Sequence, residues 1–389
     1  MVSLQTAENA LKTYYLGVVS EQLNTSINPL LAKIKQSTSD VWGKEIRKVA
    51  PYGLNGGVGA GTETGDLPVS GENTYAQFVL TLKNLYGTIE ISDKAIRASS
   101  NSAGAFVNLL NAEMEGLLRA SSFNFGRMLY GDGSGILAGV ISCDGFRVEV
   151  DSTKYLMEGM IIDILEESPY GGATPIVIAN RIRSVDRDAN SIRLFSPVSG
   201  VTEGHIITVQ GSYMNEITGL GSIYKKEGYL YGLKRSDYKW MTPYIKENAG
   251  EVSDLVIQAA IDKLEEESGS MVDFIVCSSG VKRAYQSYLT SFKHNIDVLN
   301  LEGGYKAISY NGIPVVSDRF VEEGTMYLLN TKDFTLHQLC DWSWLEGDDG
   351  RVIRQIPGKP VFTATLVKYC DLICDRPYGQ AKITGITEC

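Results

Sequence analysis

The chain has 389 residues, 43% of them hydrophobic, enough for two or three domains with buried cores, which excludes a disordered tail protein. Its 36 basic and 46 acidic residues give a net charge of -10, so as a whole it repels polyanions and is no general DNA-binding protein. Three histidines leave little scope for general-base or metal chemistry.

Residues 1–24 carry Leu4, Leu11, Tyr15, Val18 and Val19 on one amphipathic helix that stops at Asn24-Thr25-Ser26, with Pro29 beyond. Polar interruptions and the lack of a basic stretch before it exclude a signal peptide, and no apolar run in the chain is long enough to span a membrane. Between residues 50 and 82 the composition changes. Gly53, Gly56, Gly57, Gly59, Gly61, Gly65 and Gly71 accumulate beside Thr62, Glu63, Asp66 and Glu72, without one Lys or Arg. Both flanks, 42–49 and 76–82, alternate as strands do, which describes a two-stranded excursion with a flexible tip.

A turn at Ser92-Asp93-Lys94-Ala95-Ile96 caps a short helix, and a longer helix is expected over 103–130. Phe106, Leu110, Met114, Leu117, Ser121, Phe125 and Met128 keep one stripe along it, a rod of about 40 Å at 1.5 Å per residue. Gly131, Gly133 and Gly135, in Gly131-Asp132-Gly133-Ser134-Gly135, end it. Short strands follow at 146–150, 160–165, 176–185, 191–195 and 205–209, separated by polar turns, the rhythm of a separate small barrel or sandwich. Beyond Gly219 the order is a helix capped by Ser253 and closed by Gly269, a strand at 273–277 and a helix from Ser279. Asn311-Gly312 then marks a tight hairpin, and residues 326–373 are strand-rich, with a polar turn at 347–350. No repeat recurs at a fixed period.

Catalytic patterns are lacking. Gly57-Val58-Gly59-Ala60-Gly61-Thr62 departs from the dinucleotide fingerprint at its last position, no Walker lysine follows, and the neighbouring carboxylates would repel phosphate. His205, His294 and His337 stand without partners at ligand spacing, and Ser134 lacks the flanks of a nucleophile elbow. The six cysteines (Cys143, Cys277, Cys340, Cys370, Cys374 and Cys389) form no CxxC pair and read as reduced thiols, with Cys370 and Cys374 on one face of a strand. The acidic runs at 265–267 and 348–349 sit at a helix end and a turn, where solvated charge is ordinary. No catalytic, metal or cofactor site is expected. A glycine-rich excursion beside a long rod, in an acidic chain poor in catalytic groups, points instead to self-assembly.

Several segments together resemble the major capsid proteins of tailed bacteriophages with the HK97-type fold. They are Leu85-Tyr86-Gly87-Thr88-Ile89-Glu90-Ile91-Ser92, Arg127-Met128-Leu129-Tyr130-Gly131-Asp132-Gly133-Ser134-Gly135 and Asp273-Phe274-Ile275-Val276-Cys277-Ser278-Ser279. Asn311-Gly312-Ile313-Pro314-Val315-Val316-Ser317-Asp318 and Val361-Phe362-Thr363-Ala364-Thr365-Leu366 complete the set. The resemblance implies an α+β, HK97-like fold with an N-terminal arm (1–45), an extended E-loop (46–84) and a peripheral domain (85–144 and 336–376) built on a spine helix (103–130). It also implies an inserted β-barrel or sandwich domain (145–218) and an axial domain (219–335 and 377–389).

The implied function is a shell of hexamers and pentamers enclosing double-stranded DNA, built in the host cytoplasm, with neighbouring capsomers and scaffolding, portal and decoration proteins as partners and no membrane. Some relatives cross-link through an E-loop lysine, yet no lysine lies between Lys48 and Lys83, so a non-covalent shell is expected. Inter-subunit contacts are expected at Gly57, Gly59, Gly61, Thr62, Glu63, Asp66 and Glu72. Six basic against four acidic residues in 1–50 offer that acidic loop a basic counterpart. The rival readings are an encapsulin-like compartment of the same fold and a metabolic enzyme of the α+β class.

Overall fold

The computed structural model describes residues 28–53, 55–94, 103–168, 171–292, 298–300 and 306–389. The expected N-terminal helix, most of the short helix after Ser92, and His294 lie outside them. The described chain divides into two compact units, one formed by residues up to 123 and from 223 onward, the other by Asn124–Ser222.

In the first unit, β1 (Lys35–Ser37) and β2 (Val41–Trp42) lead into β3 (Glu45–Tyr52) and β4 (Thr74–Thr81). The alternation at both flanks of the glycine-rich stretch becomes an antiparallel hairpin, paired from Glu45 with Thr81 to Tyr52 with Thr74. Ile46, Ala50, Ala76, Phe78 and Leu80 form its buried face. Next, β5 (Lys83–Ser92) buries Leu85, Ile89 and Ile91 and pairs along its whole length with the strand Val361–Cys374.

Helix α1 (Ala103–Tyr130) follows, and it crosses from the first unit into the second after Phe123. Where the sequence stripe ran through Leu117 and Ser121, the buried side chains are Met114, Leu118 and Phe123, and from Phe125 onward the helix is buried on every side. Leu117 and Ser121 are half-buried because they face Gly87 of β5. A Cβ there would lie 2.7 Å from Leu117 Cδ1 and 3.2 Å from Ser121 Oγ, so the missing side chain lets the helix lie close on the sheet.

The second unit is a closed six-stranded barrel. Its strands are β6 (Ile136–Asp144), β7 (Arg147–Val150), β8 (Ile161–Glu167), β9 (Ala173–Asp186), β10 (Ser191–Leu194) and β11 (Ile206–Val209). They run in the order β10-β7-β6-β11-β8-β9, and β9 pairs back to β10. Val140, Val148, Val150, Ile162, Ile164, Ile182, Ile192 and Ile207 fill the interior. The module was expected to begin at residue 145. Instead β6 supplies its first strand, since pairing with both β7 and β11 is what closes the barrel.

Before and after the barrel the chain passes through glycine. Gly133 and Gly135 have φ of 81° and 79°, and a Cβ on Gly135 would lie 2.5 Å from Ser212 O. Arg127 and Glu216 form a bidentate pair across the same junction, Nη1 to Oε2 at 2.8 Å and Nη2 to Oε1 at 2.5 Å.

Back in the first unit, β12 (Tyr229–Leu230) and β13 (Leu233–Lys234) form a small hairpin. β14 (Tyr244–Lys246), β15 (Phe274–Cys277), β16 (Val298–Asn300), β17 (Lys306–Tyr310), β18 (Ile313–Ser317) and β19 (Met326–Leu329) belong to a seven-stranded mixed sheet. Helices α2 (Asp254–Ser268) and α3 (Ser279–Phe292) pack on it through Ile257, Leu264, Val281 and Tyr285. Ser253 Oγ accepts from the Val256 amide and Gly269 closes α2 at φ 60°, as the sequence prescribes. Asn311 and Gly312 take φ of 48° and 82°, which makes the two-residue turn between β17 and β18. Finally β20 (Phe334–Trp344), β21 (Arg354–Gln355) and β22 (Val361–Cys374) join β1 and β5 in one sheet, and β23 (Ala381–Ile383) returns between β14 and β19.

Candidate assembly surface

Residues 53–73 connect β3 to β4 without a strand or helix of their own among the described residues. Gly59, Gly61, Thr62, Glu63, Asp66 and Glu72 are exposed, and Gly57 is half-buried. The two limbs of the loop meet at glycines. A Cβ on Gly71 would lie 2.5 Å from Gly56 N and 2.6 Å from Gly57 N, so both limbs need bare backbone to run this close. Asn55 Oδ1 accepts from the Gly57 amide at 2.9 Å, and the Gly65 amide donates to Thr62 O at the tip. Val58, Leu67 and Val69 are 89%, 89% and 87% exposed, although aliphatic side chains of this size are normally withdrawn from water. Glu63, Asp66 and Glu72 form no ion pair with any described residue.

The stem beneath this loop is held by aromatic packing. Tyr52 stacks on Trp240 at 5.4 Å, and Phe78 lies 5.0 Å from Tyr231 and 6.0 Å from Trp240. The Val79 amide donates to Tyr231 O, and Tyr231 Oη accepts from the Cys374 amide at 2.8 Å. Lys48 Nζ reaches Asp375 Oδ2 at 2.7 Å. Stem and body are therefore joined by contacts between residues far apart in sequence, which no local pattern announces.

The same segment, residues 225–242, also forms a basic concavity that sequence reading missed. Lys226, Lys234, Arg235 and Lys239, together with one acid, Glu227, line a space of about 570 Å³. The basic counterpart expected within residues 1–50 is partly consumed internally, since Arg47 pairs with Glu45 at 2.9 Å and Lys48 with Asp375.

The remaining candidates occupy structural positions. His205 bonds Thr202 through both ring nitrogens. His337 is buried with Nδ1–H donating to Ser39 O at 3.0 Å, and burial holds its pKa below the usual imidazole value. Cys370 and Cys374 are fully buried, and burial raises the Cys370 thiol to about 12, far from a reactive thiolate. Ser134 Oγ donates to Asp132 Oδ1 at 2.5 Å inside the glycine turn that contains Gly131, Gly133 and Gly135. Among the described residues no group of three or more His, Cys, Asp or Glu could hold a metal ion, and no helix is long and apolar enough to cross a membrane.

No protein-family model matches the chain, and no curated protein is similar to it in sequence. Solved structures are similar in fold. The capsid asymmetric unit of cyanophage A-1(L) superposes with a TM-score of 0.55 at 13% identity, over 95% of this chain and 92% of that one. The fold is that of a phage capsid subunit. A structure of Mycobacterium phage Adephagia is similar more weakly (TM-score 0.48, 8% identity, 94% and 92% covered). The holo-SrpI encapsulin complex of Synechococcus elongatus PCC 7942 is similar too (0.47, 10%, 93% and 89%).

Proposed function

We propose that the chain is the major capsid protein of a tailed bacteriophage, assembling with itself into hexamers and pentamers of an icosahedral shell around double-stranded DNA. The observation that carries this reading is the loop at residues 53–73, with three aliphatic side chains almost wholly in water on a stem fixed to the body. A neighbouring subunit lying over it would remove that apolar surface from solvent at about 25 cal/mol per Å². The capsid fold over nearly the whole chain supports the reading.

In the terms of that fold, residues 46–84 are the E-loop and α1 is the spine. Residues 85–144 with 336–376 form the peripheral domain, and 219–335 with 377–389 meet at capsomer centres. The barrel offers a surface to neighbours or decoration proteins. Such a protein works by shape and by many modest interfaces that add on closure rather than by catalysis. A net charge of -10 suits a lining that touches packaged DNA without retaining it.

Electron microscopy of the expressed protein is the test, with closed shells, tubes or rings of six and five expected. Nuclease-protected DNA in particles from producing cells would separate a capsid from an encapsulin-like compartment. Light scattering that finds only a small soluble oligomer under every assembly condition would overturn both.

A further inference from the structure

We infer that the concavity around Lys226, Lys234 and Lys239 receives the acidic loop of a second copy of this chain. The inference rests on the shell reading and adds the partner residues. Residues 225–239 hold five basic side chains (Lys225, Lys226, Lys234, Arg235 and Lys239) against two acidic ones (Glu227 and Asp237), in a chain whose overall charge is -10. Arg235 explains why they converge. Its buried guanidinium donates to Met241 O at 2.6 Å and to Ile223 O at 2.9 Å, drawing both ends of the segment together. Lys226 is partly neutralised by Glu247 at 2.6 Å, whereas Lys234 and Lys239 are exposed and form no ion pair with a described residue.

The chemistry complementary to these cations is that of the loop at residues 53–73. Residues 49–82 contain no Lys or Arg, and Glu63, Asp66 and Glu72 form no ion pair with a described residue. The concavity, at about 570 Å³, is of the size that takes a ligand or a few side chains of a peptide, within the usual range of about 300–1,000 Å³. A nucleic-acid backbone needs an unbroken run of cations, whereas Glu227 lines this concavity and Glu247 pairs with Lys226, which leaves separate cations that suit a few discrete carboxylates. A subunit that gives its loop to one neighbour and takes the loop of another makes a head-to-tail contact, which forms a ring when its rotation closes.

The test is a charge swap. A pocket variant carries Lys234→Glu and Lys239→Glu; a loop variant carries Glu63→Arg, Asp66→Arg and Glu72→Arg. Each alone is expected to lower particle yield by more than about tenfold through like-charge contact, with an unchanged melting temperature. The chain carrying both sets should recover assembly. A mixture of the two single variants should form rings of six but not of five, because opposite charges can alternate only around an even ring. Recovery in the doubly swapped chain without recovery in the mixture would mean that the loop reaches its own pocket, and would overturn the proposal. So would normal assembly of the pocket variant, including normal assembly with loss of protected DNA, which would reassign the lysines to nucleic acid. The unmodified protein in the same experiment reports separately on whether any shell forms.

Discussion

Arg127 and Glu216 are 4% and 2% exposed, and two parallel hydrogen bonds pair their opposite charges out of water. Neither was legible as a partner of the other. Arg127 reads from sequence as a cation suited to the last turn of a helix, and Glu216 as one polar residue in a turn. Their 89-residue separation leaves no periodic trace. Glu216→Ala should strand the guanidinium and cost about 3–5 kcal/mol in urea unfolding, whereas the double change Arg127→Met with Glu216→Leu should restore most of that loss. The acidic half of the loop contact was visible because Glu63, Asp66 and Glu72 cluster in a stretch without cations. The basic half was not, because Lys234 and Lys239 are ordinary surface lysines until Arg235 folds the segment around them.

Elements whose cause is local were read well. The stem strands, the caps of α2, the Asn311-Gly312 turn and five of six barrel strands follow from alternation, Ser253, Gly269 and left-handed backbone. β6 escaped because Ala138 and Gly139 dilute its apolar pattern, and because its register shifts between Val140 and Ser142, which breaks the alternation. The buried face of α1 was misjudged at Leu117 and Ser121, since a helix pattern cannot know that a glycine on a distant strand lets it settle closer. Gly71→Val tests the loop as an element. Its side chain would strike the backbone at Gly56 and Gly57 and force the limbs apart, yet no buried core depends on it. Stability should change by less than about 0.5 kcal/mol in thermal unfolding, while shell yield falls markedly.

For the whole molecule, the capsid fold was legible because its landmarks occur in order along the chain, although each is weak alone. The division at residues 124–222 was only approximately legible, because the barrel recruits a strand that precedes the stretch of obvious turns. With no lysine between Lys48 and Lys83 to bond a neighbour covalently, the proposed shell is expected to cohere through repeated non-covalent contacts. Mature particles boiled in detergent should therefore run as a single band at the monomer mass on a denaturing gel; a ladder of linked oligomers would contradict this.

The glycine junction on either side of the barrel has a consequence for how such a chain can be altered. Gly135 lies against Ser212, and a side chain on Gly221 would come within 3.0 Å of Gly131 and Asp132, so the two ends of the barrel segment lie side by side. A module that leaves and rejoins the chain at one point behaves like a branch on a stem. Exchanging it for another small domain with neighbouring termini would leave the rest of the backbone path intact, which makes residues 136–209 a natural place to graft foreign sequences.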